Sequence, residues 1–296
     1  MTRTRYASDR GLSVRMGATL FMLGLLYVVL IGFLIAIGIG WFLAVLIAAG
    51  GLFAQWYFSD RMALFAMNAR EVTPEQAPQL HAVIDRLCVM ADMEKPRVAI
   101  AESDVPNAFA TGRSPSRSVV CVTTGLLRRL DVEEVEAVLA HELSHIAHRD
   151  VLVMTLASVA GVVAGFLTRI ALFGGGRSRD QNALVIVVSV IVVSAMVYAV
   201  SFLLTRMLSR YRELAADRAG ALLTGQPSAL ASALTRISGD MGAIPTTDLR
   251  KAEAFNAFFF APAIAPGTSL ASLIATHPPL QVRLEHLAKV SQQLGQ

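Results

Sequence analysis

Apolar and polar positions divide this chain into alternating blocks. Positions 16–59 contain no Asp, Glu, Lys or Arg, and one bilayer crossing takes about 20 apolar residues. The run therefore predicts two crossings, over 17–37 and 39–58, with Gly38 and Gly40 turning a helical hairpin ahead of Trp41. The apolar core of a cleaved signal peptide is far shorter, about 7–15 residues. Positions 151–168 and 181–205 are again uncharged, and the apolar pattern of the first continues to 173. They predict a second hairpin, joined by a polar GGGRSRD loop. One such segment alone reads equally well as a buried soluble helix. Four in one chain predict a multi-pass membrane protein.

Charges return over 59–150 and 209–296. The expected organisation is a tail over 1–16, a membrane hairpin over 17–58, a first soluble part over 59–150, a second hairpin over 151–208 and a second soluble part over 209–296. Within the first soluble part, Thr73 as cap and Pro74 at the first helical position predict a helix to about Asp92. Alternating β-formers predict strands over 97–101, 107–110 and 118–123, and a short helix follows over 126–130. Asp131 and Glu134 then form a capping box. Val135, Val138, Leu139, Leu143 and Ile146 behind it make an apolar stripe at helical spacing. The fold class expected is α+β: four transmembrane helices and a mainly helical domain with a small β-sheet.

Composition agrees. The 296 residues are 54% hydrophobic and only 16% charged, with a formal charge of +4, too apolar for an ordinary soluble domain. The distribution of the basic residues sets the orientation. Arg3, Arg5, Arg10, Arg15, Arg61, Arg70, Arg149, Arg206, Arg210 and Arg212 flank one side of the expected spans, and Arg169, Arg177 and Arg179 the other. This balance places both termini and the soluble parts in the cytoplasm, on a cell membrane. No basic stretch is interleaved with aromatics, so no nucleic-acid partner is expected. Cys88 and Cys121 form no CxxC pair and read as buried free thiols in a reducing compartment.

The chemistry lies in His141, Glu142, Leu143, Ser144 and His145, an H-E-x-x-H pattern on the helix opened by Asp131. Residues i and i+4 share a helix face, so His141 and His145 can hold one metal ion while Glu142 reaches water beside it as a general base. Chance supplies such a match in roughly 1 of 200 chains of this composition. A catalytic zinc takes three protein ligands and keeps an open position. Val151 occupies the place where one extended form of the motif has a third histidine, and His148 sits a turn further along the same helix. Glu213 is the better candidate, expected to head a helix, with Asp217 one turn below it to accept from a ligand imidazole. Spacing alone leaves Glu213 open between a ligand and an exposed helix carrying Arg–Glu and Asp–Arg pairs. Topology is consistent with the ligand, since two spans return the chain to the side of His141.

HELSHIAHRD, a membrane hairpin and then RELAADR resemble the HtpX family of membrane zinc peptidases, related to the CAAX prenyl proteases. The resemblance runs over nearly the whole chain. It implies one zinc per chain on His141, His145 and Glu213, Glu142 as catalytic base and Asp217 beside a ligand. It implies a zincin-type catalytic domain at the cytoplasmic face, with Asn107 and Ala108 in an edge strand that takes an extended peptide. It also implies His277 and Arg283 near the active site, for substrate or transition-state contact, and stress-related quality control of membrane proteins. His148 departs from the asparagine often found at its place. Taken alone, Asn107 reads as a turn residue, His277 as a loop histidine and Arg283 as a solvated helix residue. Neither Ser114 nor Ser144 sits in a G-x-S-x-G turn.

The activity expected is zinc-dependent endopeptidic hydrolysis of polypeptides, membrane proteins among them, beside the lipid bilayer. Neutral imidazoles are required, so activity should fall as pH drops through their titration. A transporter would carry ionisable residues inside its spans. A zinc-holding adaptor without catalysis would not need Glu142. Processing of modified C-termini belongs to relatives with more spans.

Overall fold

The computed structural model describes residues 10–36, 41–174, 181–243 and 277–295. The expected turn at Gly38 and Gly40, most of the GGGRSRD loop and the Phe255–Phe260 cluster lie outside them. The described residues are mostly helical, with one small mixed sheet. Helices α1 (Arg10–Ala36), α2 (Trp41–Tyr57) and α3 (Ser59–Ala66) lead to β1 (Ala69–Glu71) and α4 (Pro78–Ala91). Then come β2 (Arg97–Ala101), β3 (Ala108–Gly112), β4 (Ser118–Thr123), α5 (Thr124–Arg129) and α6 (Val132–Ala147). Helices α7 (Asp150–Gly174), α8 (Gln181–Thr224), α9 (Pro227–Ala243) and α10 (Leu280–Gln293) complete the described chain.

The long apolar helices pack on one another. Leu30 of α1, Val163, Ala164 and Leu167 of α7 and Val197 of α8 form one buried cluster. Leu23, Ala157 and Leu208 form another. Two described helices are long and apolar enough to cross a bilayer, over Gly11–Phe33 and Leu184–Thr224, and a third counts if α6 and α7, bent by 56°, are taken together. α2 is wholly uncharged, but its 17 residues extend only about 26 Å, short of a hydrocarbon core of about 30 Å.

The bend has a local cause. α6 ends at Ala147, where the His148 N–H donates to Ser144 O at 2.9 Å and the Arg149 N–H to Ile146 O at 3.0 Å. Arg149 then takes a left-handed φ of 56°, uncommon for a side chain with a Cβ, and Asp150 opens α7 in a new direction.

The second core joins helices to the sheet. Ile84 and Leu87 of α4, Val120 and Val122 of β4, Leu139 and Leu143 of α6, Leu230 and Leu234 of α9 and Leu287 of α10 are all buried in it. The strand order is β1-β2-β4-β3, with β2 and β4 parallel and both outer pairings antiparallel. β3 is thus an edge strand. β1 adds a strand beyond the three expected, since three residues carry too little alternation to register. α4 begins at Pro78, later than expected. Thr73 and Pro74 instead open a turn, in which the Thr73 N–H donates to Gln76 Oε1.

The capping box of α6 is present, with the Asp131 N–H donating to Glu134 Oε2 at 3.0 Å. Arg236 of α9 reaches both carboxylates at 3.1 Å, which docks α9 on the start of α6. α8 runs unbroken for 44 residues, about 66 Å. Glu213 therefore lies inside a continuous helix rather than at the head of a new one. Glu213, Asp217 and Gly220 share a face at i, i+4 and i+7. A Cβ on Gly220 would stand 2.9 Å from His141 N and 3.1 Å from its Cα, so the missing side chain lets α8 rest on the backbone of α6. Gly220→Ala should lower stability by about 1–3 kcal/mol through overpacking, although alanine is worth about 1 kcal/mol more than glycine in a helix interior. Chemical denaturation in detergent checks this, and a gain in stability would show that the two helices separate freely.

Candidate metal centre

α6 supplies two imidazoles on one face, as i, i+4 spacing requires. His141 and His145 bring their Nε2 atoms to 3.1 Å. Glu213 of α8 places Oε2 at 3.7 Å from His141 Nε2 and Oε1 at 3.5 Å from His145 Nε2. Each imidazole turns its other nitrogen to a carboxylate. His141 Nδ1 is 3.0 Å from Asp217 Oδ1, and His145 Nδ1 is 2.6 Å from Asp150 Oδ2. A neutral imidazole carries one proton. With those protons on the Nδ1 atoms, both Nε2 lone pairs face each other and an ionised carboxylate. Such an arrangement is repulsive unless a cation lies among the three. The separations also match the edge of a zinc tetrahedron, about 3.3 Å for zinc–nitrogen bonds of about 2.0 Å. The donor set His141, His145 and Glu213 therefore fits a metal ion, and all its ligand atoms lie within 4.8 Å of one another.

Outer partners hold the set. Asp217 is fully buried and accepts twice from Arg283 of α10, from Nε at 2.8 Å and Nη2 at 2.6 Å. Arg283 Nη1 stands 3.7 Å from Glu213 Oε2. His277, just before α10, puts Nδ1 at 2.9 Å from the same oxygen. Its Nε2 is buried without a hydrogen-bond partner among the described residues. The two residues of the C-terminal motif thus meet the acidic pair of α8. His148 is exposed, its Nδ1 2.7 Å from Ser144 O, as the last turn of α6 ends.

Glu142 points toward the edge strand. The Thr123 N–H donates to Asn107 O at 2.9 Å, and the Asn107 N–H to Thr123 Oγ1 at 2.9 Å. This pins buried Asn107 to β4 just ahead of β3. Antiparallel alternation then turns the backbone groups of Ala108, Ala110 and Gly112 away from β4, and the Ala110 N–H faces Glu142. A cleft runs beside this edge, lined by Ala110, Thr111, Ser114, His145 and Val151. An extended peptide laid along β3 would meet the backbone groups that face away from β4.

Burial dominates the electrostatics. It pushes His141 and His145 down to about 4, against the carboxylates that favour their charged forms. Burial, then the charge of Glu213, pushes Glu142 well above the usual carboxylate range. Burial also pushes Glu213 upward, but the imidazoles of His277, His145 and His141 outweigh it and hold Glu213 well below that range. Asp217 follows the same logic, burial being outweighed by Arg283 and His141 to leave it at about 2.

A family model described as Peptidase family M48 matches residues 74–291. The chain belongs to peptidase family M48. It is 59% identical to Protease HtpX homolog 1 of Streptomyces coelicolor, over 99% of this chain and 97% of that one. It is 49% identical to the Protease HtpX homolog of Moorella thermoacetica, over 99% and 98% of the two chains. For the Protease HtpX homolog of Pyrococcus furiosus the identity is 40%, over 96% and 98%. The crystal structure of S. mikatae Ste24p shares the fold at a TM-score of 0.53 and 17% identity, over 94% of this chain and 67% of that one. This M48 chain is an HtpX-like membrane metalloprotease, and the matched region contains the whole cluster around His141.

Sequence reasoning missed Asp150, Arg212 and Gly220 in this M48 site. In the sequence Asp150 stands only as the last residue of HELSHIAHRD, Arg212 only as a basic flank, and Gly220 is not singled out. None carries a spacing signal toward His145 or His141.

Burial also moves the acid limit of the imidazoles below the ordinary histidine value. In metal-stripped protein carrying Glu142→Gln, unfolded imidazoles bind protons near 6.5 and the folded ones near 4. The unfolded state then holds more protons, so stability falls as pH drops from about 6.5 to 4. The substitution removes Glu142, whose upward shift acts with the opposite sign. The thermal midpoint in detergent should be flat above pH 7 and decline steadily to pH 4.5. A midpoint that rises on acidification would show that the folded imidazoles carry charge.

Proposed function

We propose that this protein is a zinc-dependent endopeptidase that cleaves polypeptides, membrane proteins among them, at the cytoplasmic face in protein quality control. The observation that carries the reading is the convergence of the Nε2 atoms of His141 and His145 and the carboxylate of Glu213 beside a second, separately placed carboxylate, Glu142. The proposed ligands are His141, His145 and Glu213, with Asp217 orienting His141. A zinc ion bound there lowers the pKa of water toward neutrality and polarises a carbonyl oxygen.

The chain's own groups do the rest. Backbone groups of β3, from Ala108 onward, align the peptide as an added strand, with Asn107 anchoring the start of that strand. Glu142, held by burial at high proton affinity, takes the proton of the attacking water and delivers it to the leaving nitrogen. His277, held beside Glu213 through Nδ1 and with Nε2 unpartnered among the described residues, is a proposed contact to the substrate. Arg283 acts by fixing Asp217 and facing Glu213. The four spans, with soluble parts over 59–150 and 209–296 on one side, belong to the same proposal. It is supported by the basic flanks and by α8, which carries an apolar span directly into Glu213.

Zinc content and cleavage of an unfolded polypeptide by the full chain in detergent test the reading. Wild type should hold about one zinc. Glu142→Gln should keep it and lose about 10²–10⁴-fold in rate, as for a lost general base. Glu213→Ala should lose both metal and cleavage. Cleavage by Glu142→Gln at the wild-type rate would sink the mechanism, and zinc retained by Glu213→Ala would sink the ligand set.

A further inference from the structure

We infer that Asp150 is the positioning residue of His145, and that Arg212 holds Asp150 in place for it. The inference rests on the proposed reading of His145 as a metal ligand. Asp150 Oδ2 lies 2.6 Å from His145 Nδ1, and Asp150 Oδ1 forms an ion pair with Arg212, the residue before Glu213. Both partners are largely buried. Burying a carboxylate and a guanidinium costs several kcal/mol each before they attract one another, so a pair buried beside a metal site calls for a reason.

The reason is visible on the other imidazole. His141 meets Asp217, which accepts twice from Arg283. His145 meets Asp150, which pairs with Arg212. Imidazole, carboxylate and guanidinium thus occur in the same order twice, built from different elements: α8 and α10 for His141, and α7 and α8 for His145. In each case the carboxylate is placed to accept a hydrogen bond from Nδ1–H. This puts the lone pair on Nε2, fixes the ring plane and raises the basicity of the nitrogen that faces the metal.

Asp150 differs from Asp217 in where it sits. It is the first residue of α7, beyond the left-handed Arg149, at the point where the chain turns from the H-E-x-x-H helix into an apolar one. The orientation of His145 is therefore set by the position of α7 relative to α8, in addition to the geometry of α6. A plain structural reading of Asp150 exists, since an acidic residue in a first turn favours the helix dipole. That reading leaves the affinity of folded protein for metal unchanged.

The test uses the full chain in detergent, at a temperature where the metal-free forms remain folded by circular dichroism. Zinc affinity is read by competition with a chromophoric chelator, and ligand geometry by the visible absorption of cobalt-substituted protein. Asp150→Asn keeps an acceptor but loses the charge, and should bind zinc about tenfold more weakly. Asp150→Ala should approach a hundredfold, the range for lost outer partners of metal ligands. Both should shift the cobalt bands. Should Asp150→Ala fail to fold, Asp150→Asn alone decides. Zinc affinity within twofold of wild type and an unchanged cobalt spectrum in the folded variants overturn the inference. The reading of the centre fails separately, if wild type binds no zinc or His145→Ala binds it equally well.

Discussion

The Nε2 atoms of His141 and His145 and the carboxylate of Glu213 converge, and with the imidazole protons on Nδ1 all three are acceptors. Left alone, they repel. Much of the surrounding structure keeps them in place and in the right protonation state. Asp217 and Asp150 draw the imidazole protons to the far side of each ring; Arg212 pairs with Asp150, and Arg283 pairs with Asp217 and outweighs the burial that would raise its pKa. Removing one member strands a charge away from water, and a stranded buried charge is far costlier than the net worth of its pair. The cluster is thus interdependent, and the elements that carry it are constrained together.

α8 is the element on which most of these constraints meet. One face carries Glu213, Asp217 and Gly220, and the glycine lets the helix close on the backbone at His141. The same helix extends back through an uncharged stretch long enough to cross a bilayer. Any tilt of that stretch reaches the cluster without a hinge between, because α8 has no break. α7 adds the second rigid connection through Asp150. A metal centre in this M48 chain is therefore built at the junction of apolar hairpin and mixed core, with an open strand edge beside it.

The separation of the two acidic roles follows from environment. Glu213 and Glu142 are both buried carboxylates, yet imidazoles outweigh burial at the first, whereas at the second burial and the charge of the first outweigh Arg283 and one backbone N–H. One is held ionised and the other at high proton affinity. That divergence is what the proposed roles of ligand and proton carrier require, and it arises from burial together with neighbours contributed by α6, α8, β3 and the segment around His277.

Local regularities were legible in the chain. The i, i+4 spacing of His141 and His145, the Asp131–Glu134 capping box, the strands over 97–101 and 118–123 and the long uncharged runs each depend on residues within a turn or a pleat of one another, so periodicity and capping chemistry determine them. The very short β1, the late start of α4 and the position of Glu213 inside one unbroken helix were not legible, because tertiary packing outweighs weak local preference there. Which carboxylate serves which imidazole was decided only by the fold. Asp217 reaches His141 from 76 residues away because Gly220 lets α8 approach. Asp150 reaches His145 because the chain bends by 56° between α6 and α7 at the left-handed Arg149. Arg283, which alone reads as a solvated helix residue, becomes buried because α10 docks where Asp217 can take its charge. Helical spacing sets what lies on one face of one element, whereas the meeting of faces depends on packing between elements distant in the chain.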